Sequence, residues 1–130
     1  MATLGLGWMR LPLKSENQTD IDFDLVNKMV DEFMSAGFNY FDTSYVYHNG
    51  ASENAVKKCV VERYPREKFI LTSKLPTFMI TQENQVAEIF NKQLENCGVE
   101  YFDYFLLHNM NQIRYDREVK SCRMFEQLKE

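Results

Sequence analysis

FNYFDTSYVYHNGASENAVKKCV, residues 38–60, places a short apolar run directly before a loop of polar side chains. The run is rich in aromatic residues, which predicts a strand, and it ends at Asp42. Tyr45 and Tyr47 follow in the loop. Helical spacing returns beyond the loop, with Ser52 as the expected N-cap and Pro65 as the stop. The apolar face of this helix consists of Ala55, Val56, Cys59 and Val60. The stretch therefore predicts a strand, a polar loop and an amphipathic helix.

Three further apolar runs occur at nearly regular intervals along the chain. They end at Gly7, Lys74 and His108, and with Asp42 included the steps between run ends are 35, 32 and 34 residues. Segments of helical period lie between the runs. Strands that alternate with helices of this length predict a parallel sheet with right-handed crossovers. The sequence thus predicts an α/β fold of four βα units.

Three amphipathic helices and a weaker fourth one follow the runs. The first is expected to end before Gly37, because glycine commonly follows the last helical residue. The third is expected to run from Thr81 to Gly98. Residues at helical spacing form the apolar faces: Phe23, Val26, Val30 and Phe33 in the first, Val86, Ile89, Phe90 and Leu94 in the third, and Val119, Cys122, Phe125 and Leu128 in the fourth.

Two architectures are compatible with this pattern. One is an open flavodoxin-like sheet, which suits a chain of 130 residues. The other is half of a (β/α)8 barrel, a fold whose typical length of about 250 residues is roughly twice what is present. The spacing alone does not choose between them. Residues 1–130 contain no Pro/Gly/Ser-rich linker, so we expect no internal domain boundary.

Composition argues against several classes of partner. The net charge is −4 and the basic residues are scattered, so nucleic acid is not an expected partner. No stretch approaches the roughly 20 apolar residues that a membrane-spanning helix needs. The cysteines, Cys59, Cys97 and Cys122, form no CxxC pair, which argues against a disulfide framework and against a metal site. We expect a chain of the reducing cytoplasm.

Functional side chains are expected where the strands end. In both architectures ligands bind at the carboxyl ends of the strands, and Asp42, Lys74 and His108 end three consecutive runs. Tyr47 follows Asp42 closely enough to fold back over the same end. An ammonium near a phenol favours the phenolate, a carboxylate can pair with that ammonium, and an imidazole can orient a polar substrate atom. Such a group suits protonation of an oxygen that gains negative charge, as in carbonyl reduction.

Each of these residues also has an ordinary structural interpretation. A lone Asp at a strand end often caps a turn, a lone Lys is usually solvated, a His after an apolar run is often a core residue, and a loop Tyr often packs. Tyr45 is expected to be such a packing residue. The occurrence of three of these side chains at consecutive strand ends, with Tyr47 in the adjacent loop, favours a shared site.

Four segments carry a resemblance to a known family. Residues 37–56, GFNYFDTSYVYHNGASENAV, resemble the aldo-keto reductase signature, in which Asp-Thr-(small)-Tyr-x-Tyr follows an apolar strand and Ser-Glu opens the next helix. FILTSKLP (69–76) and YFDYFLLHNM (101–110) resemble the family's strands that end in its catalytic lysine and histidine. LGLGWMRLP (4–12) is similar to its first strand and cofactor-side loop. GWMRLP (7–12) also resembles a bacterial branch that often carries a C-terminal iron–sulfur extension, for which this chain has no cysteines.

The resemblance implies a (β/α)8 barrel and NADPH-dependent reduction of a small carbonyl compound, with NADH as a possible cofactor. By position, Tyr47 is the implied general acid, Lys74 lowers its pKa, Asp42 pairs with Lys74, and His108 orients the carbonyl. Gly7, Met9, Arg10 and Asp42 match positions on the cofactor side. Trp8 stands where the family more often has a small residue or threonine.

The sequence contains four of the eight βα units of that barrel. We therefore expect residues 1–130 to be a partial oxidoreductase domain, truncated after its fourth unit, with two unpaired sheet edges and an uncovered inner face. Three outcomes are compatible with this: a fragment, a homodimer that completes a barrel-like assembly, or a flattened open sheet. The functional alternatives to a reductase are a catalytically inactive fragment and an open-sheet interaction module.

Overall fold

Four parallel strands form one open sheet in the computed structural model, which describes residues 4–129. The strands are β1 (Gly5–Gly7), β2 (Tyr40–Asp42), β3 (Ile70–Leu75) and β4 (Tyr104–Leu107). They lie side by side in the order of the sequence. The predicted four βα units are therefore confirmed. A flavodoxin-like sheet would place the first strand between the second and the third, so the sequential order is that of a barrel segment.

The register of the sheet places the strand-end residues next to one another. Gly7 pairs with Asp42, and Asp42 pairs with Thr72. Two residues further along β3, Lys74 pairs with Leu106. Because side chains alternate between the two faces of a sheet, Asp42 and Lys74 lie on the same face.

Three helices cover the opposite face of the sheet. They are α1 (Phe23–Ser35), α2 (Ser52–Val56), which continues as a π-helical turn over Lys57–Val61, and α3 (Asn84–Cys97). Buried side chains recur at helical spacing along them: Val26, Val30 and Phe33 in α1, Ala55 and Val56 in α2, Cys59 and Val60 in its π turn, and Val86, Gln93 and Cys97 in α3. The predicted amphipathic faces are confirmed, except that in α3 the polar Gln93 is fully buried while Ile89, Phe90 and Leu94 are only partly buried.

Two predicted helix starts are wrong. The first residue of α2 is Ser52 itself and the N-cap is Ala51, because the Ser52 hydroxyl donates instead to the Trp8 carbonyl at 3.0 Å. The third helix begins at Asn84 rather than Thr81. The Gln85 side-chain oxygen accepts from the Thr81 backbone N–H at 2.8 Å, which holds the preceding residues in a turn. The predicted end at Gly98 is confirmed, since Gly98 adopts a left-handed conformation with φ 68°.

The predicted fourth helix is broken into short pieces. They are α4 (Gln112–Arg114), a π-helical turn over Tyr115–Val119, and α5 (Met124–Gln127). Arg123 interrupts the helix with φ 49°. Because of this interruption Met124 is buried and Phe125 is exposed, whereas Phe125 was expected on the apolar face.

The core lies between the sheet and the helices. Trp8 is completely buried and meets Phe41 edge to face, with ring centroids 6.1 Å apart. Phe33 of α1 packs on the same ring at 5.4 Å. The unusual tryptophan of the first loop is therefore a core residue, and its backbone N–H extends the pairing with β2 by donating to the Asp42 carbonyl.

No helix of the described residues covers the other face of the sheet. Tyr104 and Leu106 of β4 are 56% and 46% exposed on it. The three cysteines are buried and unpaired. Within residues 4–129, no helix is long and apolar enough to span a membrane, and no cluster of three metal-ligating side chains occurs.

Candidate active site

Asp42 and Lys74 form an ion pair at the carboxyl end of the sheet. The Lys74 Nζ donates to Asp42 Oδ1 at 2.6 Å and to the Thr43 carbonyl at 2.9 Å. The two residues come from neighbouring strands and lie on the same face of the sheet, because Lys74 stands two residues beyond Thr72, the partner of Asp42. Only 13% of the Lys74 side chain is exposed, so the ammonium depends on these two acceptors.

Tyr47 begins the loop helix that follows β2. A single 3₁₀ turn spans Tyr47–Gly50, and His48 and Asn49 within it have left-handed backbone angles, with φ 54° and 52°. Residues other than glycine adopt this conformation at an energetic cost, so contacts elsewhere must hold the loop. The Lys74 Nζ lies 5.0 Å from the centroid of the Tyr47 ring. The Tyr47 hydroxyl makes no hydrogen bond within residues 4–129 and is not buried.

His108 follows β4 directly, and its backbone N–H donates to the Leu75 carbonyl at 2.9 Å. Its ring meets the Tyr47 ring at 5.7 Å between centroids and the Phe78 ring at 5.6 Å, both edge to face. The Nδ1 atom lies 2.9 Å from the Ser44 hydroxyl. Burial lowers the pKa of His108, and the nearby Lys74 ammonium lowers it further, while Asp42 opposes the shift. The imidazole is therefore neutral at physiological pH.

His48 anchors the loop that carries Tyr47. Its Nε2 accepts from the Leu11 backbone N–H and its Nδ1 is paired with the Gln18 carbonyl, both at 2.9 Å. Since Nε2 accepts a hydrogen bond, the proton of the neutral ring must be on Nδ1. The side chain is buried and joins the segment after β1 to the segment after β2. His48 thus supports the strained backbone next to Tyr47.

A buried polar cluster lies on the helix side of Lys74. Both oxygens of the fully buried Glu53 accept hydrogen bonds, from Ser73 and Gln93 at 2.8 Å each and from Asn96 at 3.0 Å. The Gln93 amide also donates to the Lys74 carbonyl at 2.9 Å. Burial raises the pKa of Glu53, and the three hydrogen bonds partly counter that shift. The cluster fixes the backbone of the residue that carries the ammonium.

The predicted cofactor-side residues lie at the same end of the sheet. Gly7 pairs with Asp42, and a Cβ added to Gly7 would meet no atom within 4 Å, so the sheet surface beside the ion pair is bare. Met9 is exposed and lines an open cavity together with Tyr47 and His108. Arg10 is exposed and has no ion-pair partner in the described part of the chain. A flat, uncovered surface next to an ammonium–carboxylate pair fits a planar, polar ring such as nicotinamide.

An open cavity of about 520 Å³ borders the tyrosine and the two histidines. Met9, Tyr47, His48, Phe78, His108 and Asn109 are among its lining residues. Its lining combines apolar and polar side chains, as small-molecule sites usually do. The structure therefore brings Asp42, Tyr47, Lys74 and His108 to one place, beside a space that a small molecule can enter.

Several residues of this site were not identified from the sequence. Ser44 and Phe78 contact His108, and His48 lines the same cavity, yet all three stand in loops where periodicity carries no information. Only His48 had a usable signal, because it is one of two histidines in the chain and directly follows Tyr47. The sequence predicts only that Glu53 lies at a helix start, and its complete burial has no local signature.

A family model and a curated relative match this chain. The model of the Aldo/keto reductase family matches residues 3–130. A probable NAD(P)H-dependent D-xylose reductase of Aspergillus clavatus is 29% identical over 110 residues, which cover 81% of this chain and 32% of that protein.

Solved structures give the same result for the fold. An aldo-keto reductase from Bacillus halodurans in its holo form has a TM-score of 0.73 and 25% identity, and the match covers 97% of this chain and 41% of that chain. An aldo-keto reductase from Klebsiella pneumoniae in complex with NADPH has a TM-score of 0.70 at 21% identity, covering 95% and 40%, and this likeness concerns the fold alone.

The chain therefore spans less than half the length of the proteins that it matches. Its four strands and their helices correspond to the barrel fold of those proteins, which confirms the predicted half-barrel architecture. The family model extends over nearly every residue, and the chain belongs to the aldo/keto reductase family.

Proposed function

We propose that this chain supplies the catalytic residues for NAD(P)H-dependent reduction of an aldehyde or ketone to an alcohol. The observation that carries the proposal is the position of the Tyr47 ring. It lies 5.0 Å from the Lys74 ammonium and 5.7 Å from the His108 ring, at the mouth of the same cavity. A phenol, an ammonium and an imidazole around one open space can bind and protonate a carbonyl oxygen.

The proposed roles follow from the charges of the residues. The Tyr47 hydroxyl donates the proton to the carbonyl oxygen as negative charge develops there. The Lys74 ammonium stabilises the phenolate that remains, which makes the phenol a stronger acid. The Asp42 carboxylate keeps Lys74 charged and in place through the 2.6 Å hydrogen bond. His108 orients the carbonyl oxygen towards Tyr47.

The proposed cofactor is NADPH, with NADH as the alternative, and when bound it supplies a hydride. The bare surface at Gly7 and the exposed side chains of Met9 and Arg10 are the part of this chain that would contact it. The name of the Aspergillus relative, which mentions NAD(P)H, supports the choice of a nicotinamide cofactor. The carbonyl substrate is a small molecule.

Tyr47→Phe tests the proposal most directly, with Tyr45→Phe as its matched control. Both variants lose one tyrosine hydroxyl from the same loop, but only the Tyr47 ring contacts His108. Reduction of a panel of aldehydes, followed by NADPH absorbance, should be abolished in Tyr47→Phe and retained in Tyr45→Phe. NADPH binding, followed by fluorescence, should survive in both. Turnover by Tyr47→Phe close to that of the unmodified chain would refute the role given to Tyr47.

The uncovered face of the sheet favours a second, structural proposal. Tyr104 and Leu106 are exposed on it, and β1 and β4 each have one unpaired edge. We propose that a second copy of the chain covers this face, because two such edges can pair with each other and close the sheet. Sedimentation over a range of concentrations should detect a dimer, and Leu106→Glu should weaken it. A monomer with bound foreign protein would instead favour an open-sheet interaction module, and a monomer that neither binds NADPH nor turns over would favour an inactive fragment.

We also propose the cytoplasm as the location of the chain. The three cysteines are buried and unpaired, which is the usual state of cysteines in a reducing compartment. Oxidised cysteines in protein isolated from cells would contradict this.

A further inference from the structure

We propose that Ser44 is a positioning residue, which donates a hydrogen bond to His108 Nδ1 and thereby keeps the His108 proton on Nε2, the atom left for the substrate. The two residues are 64 positions apart in the sequence and meet only because β2 and β4 end at the same side of the sheet. The consequence for a carbonyl substrate rests on the proposed function. The tautomer itself does not, and it can be measured without substrate or cofactor.

Ser44 is completely buried, and His108 is its single side-chain partner. The Ser44 Oγ lies 2.9 Å from His108 Nδ1, and no other hydrogen bond to this hydroxyl occurs within residues 4–129. No water can reach a residue with no exposed surface. The hydroxyl proton therefore has one place to go, which is the Nδ1 lone pair.

The opposite arrangement leaves a buried donor without an acceptor. If Nδ1 carried the proton and donated to Ser44, the serine hydroxyl proton would point into the core. Leaving this buried donor unsatisfied disfavours the arrangement by roughly 5- to 150-fold in population. The preferred state has Ser44 as the donor and Nδ1 as the acceptor.

A neutral imidazole that accepts at Nδ1 must carry its proton on Nε2. His108 Nε2 has no hydrogen-bond partner within the described residues and is not buried, and the ring lines the cavity. The rings of Tyr47 and Phe78 contact the imidazole edge to face, which limits its rotation. Through its hydrogen bond, Ser44 therefore makes His108 present an Nε2–H donor to the cavity. This donor selects a substrate atom that accepts a hydrogen bond, as a carbonyl oxygen does.

His48 provides an internal reference with the opposite tautomer. Its Nε2 accepts from the Leu11 N–H, so its proton is on Nδ1 and is donated to the Gln18 carbonyl. The chain has two histidines, and the structure therefore predicts one of each neutral form. A spectrum that separates the two tautomers should contain both patterns.

The test is a two-bond ¹H–¹⁵N correlation spectrum of the ¹⁵N-histidine-labelled chain near pH 8. In the unmodified chain we expect a protonated Nε2 for His108, a protonated Nδ1 for His48, and a His108 Nδ1 resonance shifted from the free-acceptor position by its hydrogen bond. In Ser44→Ala that shift should disappear, and the ratio of Nε2–H to Nδ1–H forms of His108 should fall about tenfold. Ser44→Thr, which keeps a hydroxyl, should restore the original pattern.

Ser73→Ala is the matched control. It also removes the hydroxyl of a fully buried serine, but that hydroxyl donates to Glu53 on the other face of the sheet. It should leave the His108 resonances unchanged, and the His48 pattern reports whether each variant is folded. If Ser44→Ala does not fold, the Nδ1 shift of the unmodified chain decides the matter.

A protonated Nδ1 on His108 in the unmodified chain, or a Nδ1 resonance that is the same with and without the Ser44 hydroxyl, would overturn the inference. Neither result depends on turnover. A correct tautomer together with an inactive chain would instead count against the proposed reductase function.

Discussion

The Asp42–Lys74 ion pair should stabilise the fold by more than a surface ion pair does, and a double-mutant cycle can measure the difference. The cycle compares Asp42→Asn, Lys74→Met and the double variant with the unmodified chain. At the observed 2.6 Å, Coulomb's law with an effective dielectric constant of about 20 gives an attraction of about 6 kcal/mol. Desolvation of the ammonium and the fixed lysine side chain oppose it, so the expected coupling energy is about 1.5–3 kcal/mol.

Urea unfolding near pH 7 provides the four free energies of unfolding. The single tryptophan, Trp8, is buried against Phe41, so its fluorescence should report the loss of the core. All four proteins should be measured at one concentration, because association would shift the midpoints. The coupling should change little between about 0.1 and 1 M salt, since 13% of the Lys74 side chain is exposed to screening ions.

Lys92 and Glu95 of α3 form the control pair. Their charged atoms are 3.0 Å apart, but their side chains are 53% and 72% exposed. The same cycle on this pair should give about 0.2–0.5 kcal/mol and lose most of it in high salt. A coupling for Asp42–Lys74 no larger than that of Lys92–Glu95 would refute the argument that burial makes this pair strong.

Three further predictions concern Glu53, His108 and Cys59. Glu53→Ala leaves the donors of Ser73, Gln93 and Asn96 without their acceptor and should lower the free energy of unfolding in urea by about 3–5 kcal/mol. The control Asn54→Ala, at an exposed neighbour, should change it by less than about 0.5 kcal/mol. Equal effects of the two variants would contradict the role of the cluster. The pKa of His108 is lowered in the fold, so the neutral ring contributes to the free energy of unfolding above pH of about 6.5, and this contribution is lost as the pH falls through the folded pKa. His108→Gln should therefore make the free energy of unfolding fall less steeply below that pH. Parallel pH profiles of the variant and the unmodified chain would argue against this. Burial raises the pKa of the Cys59 thiol to about 11, so iodoacetamide at pH 8 should label this residue slowly in the folded chain and rapidly in urea, as read by mass spectrometry.

Much of the fold followed from local patterns. All four predicted apolar runs contain a strand. The strands end at Gly7 and Asp42 as predicted, one residue after Lys74, and one residue before His108. Both predicted helix ends near glycine, at Gly37 and Gly98, fit as well, because left-handed residues mark a helix end by their backbone alone. These features depend on neighbours within one turn or one strand, which a sequence displays directly.

The predicted helix boundaries failed where hydrogen bonds or backbone angles of single residues overrode the periodic pattern. The Ser52 hydroxyl was expected to cap its own helix, and it bonds instead with Trp8 and Thr43, which belong to other segments. The fourth helix was expected to continue through Phe125, and the left-handed Arg123 interrupts it. Neither event has a signature in the spacing of apolar residues.

The sequence by itself determined the four βα units and the order of Asp42, Tyr47, Lys74 and His108 along them, because apolar periodicity and strand ends are local properties of the chain. Tertiary structure alone decided which atoms meet. The register of parallel strands brings Lys74 to Asp42, the common end of β2 and β4 brings Ser44 to His108, and the packing of α2 and α3 on β3 buries Glu53 among three donors. Hydrogen bonds between groups 20 to 64 residues apart require the assembled sheet, and no local pattern encodes them.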